Sequence, residues 1–376
     1  NKNRAKKKDC PFRINEKRNY TIFMRYEFAP MEGITGYVYR NAHHQFYKKI
    51  DRYFTPFITP NQTRKFTSRE MNDVLPEHNQ GIEIVPQILT NKAEDFLWAS
   101  EKLRDLGYEE VNLNLGCPSG TVVTKKRGAG FLAFPVALDA FLEEVCNGIN
   151  RLGMKISVKT RVGKDSPDEW EELLEIYSRY PLSELIVHPR IQTDFYRNHP
   201  NLDAYELAAE KNSSSKISLT YNGDLFSIQD FENLIERFPN TETVMMGRGL
   251  LTNPALAEQI EGMQEKCGSS EAGFCKARRD DPCFSEKENE EKEKCDEKQR
   301  LRKFHDALLA GYSEAIPGDR NVLFKMKELW FYFGQAFEND EKALKQIRKA
   351  VKMDVYRDAV AKIFSECELK NPPGFQ

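Results

Sequence analysis

A single cysteine lies on a turn directly after an apolar strand pattern. Residues 111–115 alternate apolar side chains with asparagines, and the turn Gly-Cys-Pro at 116–118 follows at once. Structural cysteines more often lie inside an element, where they pack as small hydrophobic side chains. A cysteine at a strand end lies instead where α/β folds place their chemistry. Cys117 is therefore a candidate catalytic residue, and an ordinary turn residue is the alternative.

Short apolar segments that end in polar or glycine-containing corners recur along the chain, and they must position this cysteine. They cover residues 26–31, 53–59, 83–90, 110–117, 155–162, 184–190, 216–223 and 243–249. Amphipathic helical patterns separate most of them, at 92–106, 135–152, 168–180 and 227–238, while the pattern at 67–79 is polar and interrupted by Pro76. Eight strand–helix units over roughly 240 residues predict an α/β fold of the (β/α)8 TIM-barrel type. A doubly wound sheet is the alternative, but no G-x-G-x-x-G motif follows the first strand.

The composition is typical of a cytoplasmic protein with reduced thiols. The 376 residues carry a formal net charge of −2, and eight cysteines are too sparse for a disulfide framework. No apolar run approaches the roughly 20 residues that span a bilayer, and no signal peptide opens the chain. We expect a cytoplasmic protein without membrane contact and take a monomer as the starting expectation.

Composition divides the chain into four segments. Residues 1–23 carry eight Lys or Arg against two acids without any helical or strand period, so we expect a disordered leader or upstream sequence that is not native to the protein. A basic RNA-touching arm is the alternative. Residues 24–263 hold the catalytic barrel, and 264–298 are predicted as a charged linker. The linker's four cysteines lack the C-x2-C pairs of zinc or iron–sulfur sites, so no metal is expected. Residues 299–376 show helical periodicity and are predicted as a smaller all-helical domain.

Within the helical domain, residues 321–337 mix lysines with aromatic side chains. That mixture is typical of a nucleic-acid surface and equally of an ordinary helix with a packed aromatic face. The residues alone leave both interpretations open.

Several short motifs at the predicted strand ends carry a family resemblance. They are Ala-Pro-Met-Glu-Gly-Ile-Thr at 29–35 with Arg40, Gln87, Asn-Leu-Gly-Cys-Pro at 114–118, Val-Lys-Thr-Arg at 158–161, His-Pro-Arg at 188–190, Asn-Gly-Asp at 222–224 and Met-Gly-Arg-Gly at 246–249. In this order the chain resembles the dihydrouridine synthases, flavin enzymes that reduce uridines in folded RNA, usually tRNA. The helical segment also resembles the RNA-binding domain of that family, though more loosely.

The resemblance implies that the barrel binds FMN. The phosphate would meet backbone N–H groups and a cation on the last two strands, where barrels commonly bind phosphate; the residues are Asn222, Gly223, Asp224, Gly247 and Arg248. The small apolar run Ala29, Pro30 and Met31 would lie along the ring system, and Gln87 would meet its polar edge. Lys159 would place a positive charge where reduced flavin accumulates negative charge, with a structural ion pair as the alternative. His188 would line the pocket, with a structural histidine as the alternative.

The resemblance also implies a two-stage reaction. NADPH or NADH would first reduce FMN, and the hydride would then pass to C6 of a uracil ring. Cys117 would give a proton to C5, a role that calls for a protonated thiol rather than a thiolate. Asn114 would hold the polar edge of the uracil. The RNA itself would meet a set of cationic side chains, namely Lys125, Lys126, Arg127 and Arg190.

Three alternatives stay open from the sequence. The first is a flavin barrel that acts on a small molecule, such as a dihydroorotate dehydrogenase or an ene reductase. The second is a catalytically silent RNA-binding barrel, which would have no need to keep Cys117, Lys159 and His188 together. The third is a dihydrouridine synthase that acts on rRNA instead of tRNA.

Overall fold

The computed structural model describes residues 24–213, 216–269 and 284–370, with side chains for all of these except 265–269 and 284–294. Within these ranges, nine short strands form one parallel sheet: β1 (Arg25–Phe28), β2 (Arg52–Phe54), β3 (Ile84–Val85), β4 (Gln87–Ile88), β5 (Glu110–Leu115), β6 (Lys155–Gly163), β7 (Glu184–Ile191), β8 (Ser218–Tyr221) and β9 (Thr243–Met246). Their spatial order is β3-β2-β1-β9-β8-β7-β6-β5-β4.

The sheet closes into a barrel through one interrupted strand. β3 pairs with β2 and β4 pairs with β5, and only Pro86 separates β3 from β4. Proline has no N–H to donate to a ladder, yet its carbonyl still accepts a hydrogen bond from the Asn112 amide at 2.9 Å. The two pieces therefore act as one strand, and the predicted eight-stranded (β/α)8 barrel is confirmed.

Helices follow the strands in the expected alternation. They are α1 (Tyr37–Phe46), α2 (Ser68–Val74), α3 (Ala93–Asp105), α4 (Gly120–Val123), α5 (Pro135–Leu152), α6 (Trp170–Ser178), α7 (Leu202–Asn212), α8 (Ile228–Arg237), α9 (Arg248–Thr252) and α10 (Leu256–Ser269). The predicted bounds of α5 are those observed. The polar second helix ends at Val74, because the proline that follows two residues later disfavours helical backbone at Leu75.

The barrel interior has three layers, because alternate residues of each strand point inward. At the amino-terminal end, the guanidinium of Arg52 lies among three carboxylates, at 2.6 Å from Glu27, 2.6 Å from Glu184 and 3.2 Å from Glu110. The middle layer is apolar and consists of Ala29, Phe54, Val85, Ile186 and Met245. The third layer, at the carboxyl ends of the strands, is polar and forms the barrel mouth.

The remaining helices form a bundle against the barrel: α11 (Phe284–Ala315), α12 (Asp319–Phe333), α13 (Glu341–Lys349) and α14 (Met353–Glu366). The Phe304 ring of α11 packs edge-on against Tyr39 and Tyr47 at centroid distances of 5.6 and 5.4 Å. Arg300 lies over the Tyr47 ring at 4.0 Å. The bundle therefore packs against α1, a helix on the outside of the barrel.

Helices enter the predicted linker at both of its ends. α10 extends to Ser269 and α11 begins at Phe284, so helices occupy much of 264–298. A helix that is polar all round gives no apolar stripe to recognise, and the start of α11 is of this kind. The leader at 1–23, Cys275 and Cys283 lie outside the described residues, as does the side chain of Cys267.

The aromatic side chains of α12 divide into a buried set and an exposed set. Trp330 and Phe333 are buried, and the Trp330 indole donates to the Tyr356 hydroxyl at 2.8 Å. Phe324 and Phe331 are 77% and 61% exposed. One face of the helix therefore packs in the bundle, while another carries aromatic rings at the surface. No helix in the described ranges is long and apolar enough to cross a membrane.

Candidate active site

The strand register gathers the predicted residues at the barrel mouth. Gln87 lies opposite Asn112, and Asn114 lies opposite Lys159. The next inward position of β6 is Arg161, which lies opposite His188 of β7. Neighbouring parallel strands thus bring side chains that are far apart in sequence to one level of the barrel.

A chain of buried amides fixes the turn that carries the cysteine. Asn112 Nδ2 donates to Ser157 Oγ at 3.0 Å, and Gln87 Nε2 donates to Asn112 Oδ1 at 2.8 Å. Asn114 Nδ2 donates in turn to Gln87 Oε1 at 2.6 Å. Asn114 Oδ1 accepts from the backbone N–H groups of residues 116 and 117 at 3.1 and 2.9 Å. The Asn114 oxygen, expected on the uracil edge, is therefore engaged by the cysteine turn.

Two glycines let the following segment pack directly under the thiol. Gly128 has a positive φ of 54°, and a Cβ there would lie 2.8 Å from the Cys117 carbonyl and 3.1 Å from the Cys117 Cβ. A Cβ at Gly130 would lie 2.7 Å from the Val123 carbonyl. The Ala129 N–H donates to the Cys117 carbonyl at 3.1 Å. Residues 117–130 therefore form a closed loop around the cysteine.

The surroundings of Cys117 keep its thiol protonated. The residue is half-buried, and burial raises the pKa of the thiol above its ordinary value. The Glu32 carboxylate raises this pKa further, while the Ser119 N–H and the cations of Arg161 and Lys159 lower it. Because burial is the largest of these effects, the neutral thiol is the dominant form near neutral pH. That state is the one a proton donor requires.

Lys159 has no carboxylate partner among the described residues. Among the side chains that the structure describes, none of the carboxylates lies within 4.0 Å of its ammonium, so the structural ion pair considered above is absent. Burial, with a contribution from Arg161, lowers the pKa of Lys159 to about 7. A nearby negative charge would raise that pKa again. The side chain is thus suited to a ligand that carries or develops negative charge.

Arg190, Asp224 and Arg248 form one ionic cluster at the carboxyl ends of β7 to β9. Arg190 holds both carboxylate oxygens of Asp224, at 2.9 and 2.5 Å, and Arg248 Nη2 contacts one of them at 2.6 Å. Arg190 is buried, and its Nε donates to the Asn198 carbonyl at 2.6 Å. A direct contact of Arg190 with RNA would require this cluster to open.

His188 is neutral. Its Nε2 lies 3.1 Å from Arg190 Nη1 and must act as the acceptor there, because a guanidinium has only donors. The proton of the imidazole is thereby assigned to Nδ1. Burial and the surrounding cations hold the pKa of His188 well below its usual range.

The last two strands form a narrow cradle suited to a phosphate. A Cβ at Gly249 would lie 2.0 Å from the Leu225 carbonyl, so only glycine allows this approach of the two loops. A Cβ at Gly223 would lie 2.0 Å from the Tyr221 hydroxyl. The Asn222 amide ties the two strands together by donating to the Met245 carbonyl at 2.8 Å.

An apolar shelf adjoins this cradle. A Cβ at Gly247 would lie 3.3 Å from Ala29 Cβ and 3.4 Å from Met31 Sδ. Pro30, which lies between Ala29 and Met31 in the sequence, is partly buried. The apolar shelf fits a flat ring system. The glycine cradle and the two arginines, which outnumber the single Asp224 carboxylate, fit a dianionic phosphate at the end of that ring system.

The basic segment after Cys117 lies at the rim. Lys125 and Lys126 are exposed and Arg127 is partly buried. Lys126 has a positive φ of 53°, and its ammonium lies 4.6 Å from the centroid of the Phe134 ring. These side chains are accessible to a large anionic ligand at the mouth.

Two residues near the mouth received no role from the sequence. Arg161 joins the Cys117 turn to the loop after β7 through its guanidinium. Tyr196, in that loop, lies under Arg248 with the guanidinium 4.3 Å from the ring centroid. An aromatic residue shortly after a predicted strand is the only sequence signal for Tyr196. For Arg161 the signal was its inward position, two residues after Lys159.

A (β/α)8 barrel with an anion cradle on its last strands and a neutral thiol at its mouth defines a class, the flavin-dependent barrel oxidoreductases. The chain belongs to the dihydrouridine synthase family, whose family model, Dihydrouridine synthase (Dus), matches residues 27–352. It is therefore an enzyme of that flavin-dependent family.

Relatives agree with this assignment. The chain is 28% identical over 239 residues to "Probable tRNA-dihydrouridine synthase" of Staphylococcus aureus (strain Mu50 / ATCC 700699), covering 61% of this chain and 70% of the relative. It is 28% identical over 241 residues, with the same coverage, to "Probable tRNA-dihydrouridine synthase 2" of Bacillus subtilis (strain 168). Among solved structures, morphinone reductase matches 64% of this chain and 86% of its own, with 13% identity and a TM-score of 0.47.

Proposed function

We propose that this protein reduces uridines in tRNA to 5,6-dihydrouridine, with FMN as the flavin and NADPH or NADH as the reductant. The observation that carries the proposal is the neutral thiol of Cys117, which Asn114 fixes at the barrel mouth within electrostatic reach of Lys159. Family membership and the names of both relatives support it.

The mouth fits FMN in two parts. The phosphate end would be held by Arg248 and the backbone of the glycine cradle, with Asp224 orienting the arginine. The ring end would meet the apolar shelf and the polar side chains above the middle layer, namely Ala29, Pro30, Met31, Gln87, Lys159 and His188. When bound, the flavin supplies the hydride for C6 of the uracil after its own reduction by the nicotinamide.

Cys117 would supply the proton for C5. Its thiol is protonated, and the turn that carries it is fixed through Asn114 and the amide chain below. A general acid contributes roughly 10²–10⁴-fold to a rate when it is correctly placed. The neutral His188 and the cation of Lys159 would complete a pocket that binds a polar, uncharged base beside an anionic cofactor.

RNA would reach the mouth across its basic rim. Lys125, Lys126 and Arg127 would contact phosphates, and a uridine would have to leave its stack to enter the barrel. We propose the barrel over 24–263 as the catalytic unit and the helical segment as the unit that grips RNA. The exposed rings of Phe324 and Phe331 on α12 support this division, because bases stack on such side chains.

An RNA assay tests the proposal. The purified protein would be incubated with FMN, NADPH and bulk tRNA and rRNA from a strain without dihydrouridine synthases, and dihydrouridine would be quantified by mass spectrometry. New dihydrouridine in the tRNA fraction supports the proposal, and its appearance in rRNA alone would change the substrate. A yellow protein that oxidises NADPH but alters neither RNA would favour a small-molecule flavin barrel.

A further inference from the structure

Arg161 is a buried arginine, and each of its three guanidinium nitrogens donates to a backbone carbonyl. Its side chain is 0% exposed. Nε donates to the Gly116 carbonyl at 3.0 Å, Nη1 to the Ile191 carbonyl at 2.8 Å and Nη2 to the Phe195 carbonyl at 2.8 Å. No carboxylate in the described ranges forms an ion pair with it. Burying a cation without a counterion is unfavourable, so the position calls for an explanation beyond packing.

One end of this contact is the peptide that leads into Cys117. The carbonyl of Gly116 accepts from Arg161, while the N–H groups of residues 116 and 117 donate to Asn114 Oδ1. The N–H groups and the carbonyl of this turn are thus both hydrogen-bonded to side chains of the barrel interior. Loss of either would leave the thiol free to shift.

The other end is the loop that follows β7. Phe195 adopts a positive φ of 51°, which is unfavourable for an aromatic residue, and its carbonyl accepts from Arg161. The next residue, Tyr196, lies with its ring centroid 6.0 Å from that of His188. A second hydrogen bond, from Gln192 Nε2 to the Pro118 carbonyl at 3.1 Å, joins the same two loops.

We propose that Arg161 is a positioning residue that fastens the Cys117 turn to loop 191–197 and so fixes the height of the thiol above the barrel mouth. This inference rests on the proposed function, since protonation by Cys117 is the step it serves. The three bonds of a planar guanidinium can set such a spacing, whereas a lysine ammonium is a single point of attachment.

The charge of Arg161 acts on the same thiol. The charged groups that face Cys117 are Glu32 after β1, and Lys159 and Arg161 on β6. Arg161 is one of the two cations that lower the pKa of the thiol, so its removal raises that pKa. A thiol that is both released from the turn and less acidic has a distinct alkylation profile, because only the thiolate reacts.

The test compares full-length Arg161→Met, Arg161→Lys and the double variant Arg161→Met/Phe195→Gly. Bound flavin, NADPH oxidation and dihydrouridine formation are measured on each. We expect Arg161→Met to keep flavin and NADPH oxidation and to lose dihydrouridine formation by about 10²-fold, as a misplaced group does. Arg161→Lys should lose nearly as much dihydrouridine formation as Arg161→Met. The double variant recovers part of the loss, because glycine adopts the left-handed backbone of position 195 without support.

A matched control is Arg179→Met, which removes a surface arginine paired with Asp139 at 2.8 Å. It should change none of the readouts. Full dihydrouridine formation by Arg161→Met overturns the inference. A loss of NADPH oxidation equal to the loss of dihydrouridine formation also overturns the inference, because it would place Arg161 in the flavin site. Failure of Phe195→Gly to restore any activity would reduce Arg161 to a packing role.

Alkylation of Cys117 separates this inference from the proposed function. Iodoacetamide labelling, resolved by peptide mass spectrometry, is followed against pH in wild type, Arg161→Met and Arg161→Lys. The lysine variant keeps the buried charge and remains available if Arg161→Met does not fold. A higher limiting rate of labelling at alkaline pH in a variant than in the wild type shows that the Cys117 turn is no longer held in place. This result is informative even if the wild type forms no dihydrouridine. An unchanged labelling profile in both variants overturns the inference.

Discussion

Arg52 and Arg161 lie at opposite ends of the same barrel, and both are buried. Arg52 contacts three carboxylates of the amino-terminal layer, whereas Arg161 contacts three backbone carbonyls at the mouth. In the first arrangement, carboxyl groups of the barrel engage the guanidinium, so it is not available to a ligand. The second keeps a positive charge and holds two loops in place. The chemistry of an arginine's partners therefore distinguishes a structural end of the barrel from a functional one.

The largest effect should come from the thiol at the functional end. Cys117→Ala should lose dihydrouridine formation by roughly 10²–10⁴-fold, the usual range for a general acid, while it retains flavin and NADPH oxidation. Cys295→Ala, which changes an exposed cysteine of α11, is the control. Single-turnover mass spectrometry of the RNA measures the step. Normal product formation by Cys117→Ala would remove this residue from the mechanism.

A substitution at the structural end should lower the stability of the protein rather than its activity. Arg52→Met leaves two buried carboxyl groups and one partly buried carboxyl group without their cation. Removal of one partner from such a cluster costs about 3–5 kcal/mol of the free energy of unfolding. Urea denaturation measures this loss. Per folded molecule, flavin content and product formation should stay at the wild-type level. A selective loss of activity without a loss of stability would contradict the division between the two ends.

The barrel and several residues at its mouth could be predicted from the sequence, whereas the carboxylate cluster around Arg52 at the structural end was not predicted. Period-two strands and helical patterns gave the barrel because burial selects apolar residues at regular spacing. Motif positions brought Cys117, Lys159 and His188 to one mouth. The contacts of Arg161 could not be predicted, because backbone carbonyls of two loops have no residue signature. The start of α11 was missed because its polar residues give no apolar stripe.

Arg248→Ala tests the anion cradle with a smaller effect. The guanidinium is partly buried, contacts Asp224 and lies over the Tyr196 ring. A hydrogen bond to a charged group contributes about 1.5–3 kcal/mol, so the Kd of FMN should rise roughly 10–100-fold. Fluorescence titration of the apoprotein with FMN and with riboflavin measures it. An equal loss of affinity for riboflavin, which lacks the phosphate, would contradict the assignment.

The smallest effect concerns the protonation of the structural end. Burial and the neighbouring Glu184 raise the pKa of Glu27 well above its ordinary value, against the opposing effect of Arg52. The folded state therefore holds a proton that the unfolded chain releases at lower pH. This contribution to stability is complete below about pH 4, the ordinary glutamate range, and is lost as the pH rises through the raised pKa.

Glu27→Gln keeps a neutral, hydrogen-bonding side chain at every pH and should remove this dependence. Its melting temperature should exceed that of the wild type by about 1–2 °C at alkaline pH, which corresponds to about 1 kcal/mol in a chain of this size. Near pH 5 the two proteins should melt together. Calorimetry across this pH range, with flavin content measured in parallel, checks the result. A flat wild-type profile would show that Glu27 stays ionised beside Arg52, so that the amino-terminal layer is a full ionic cluster.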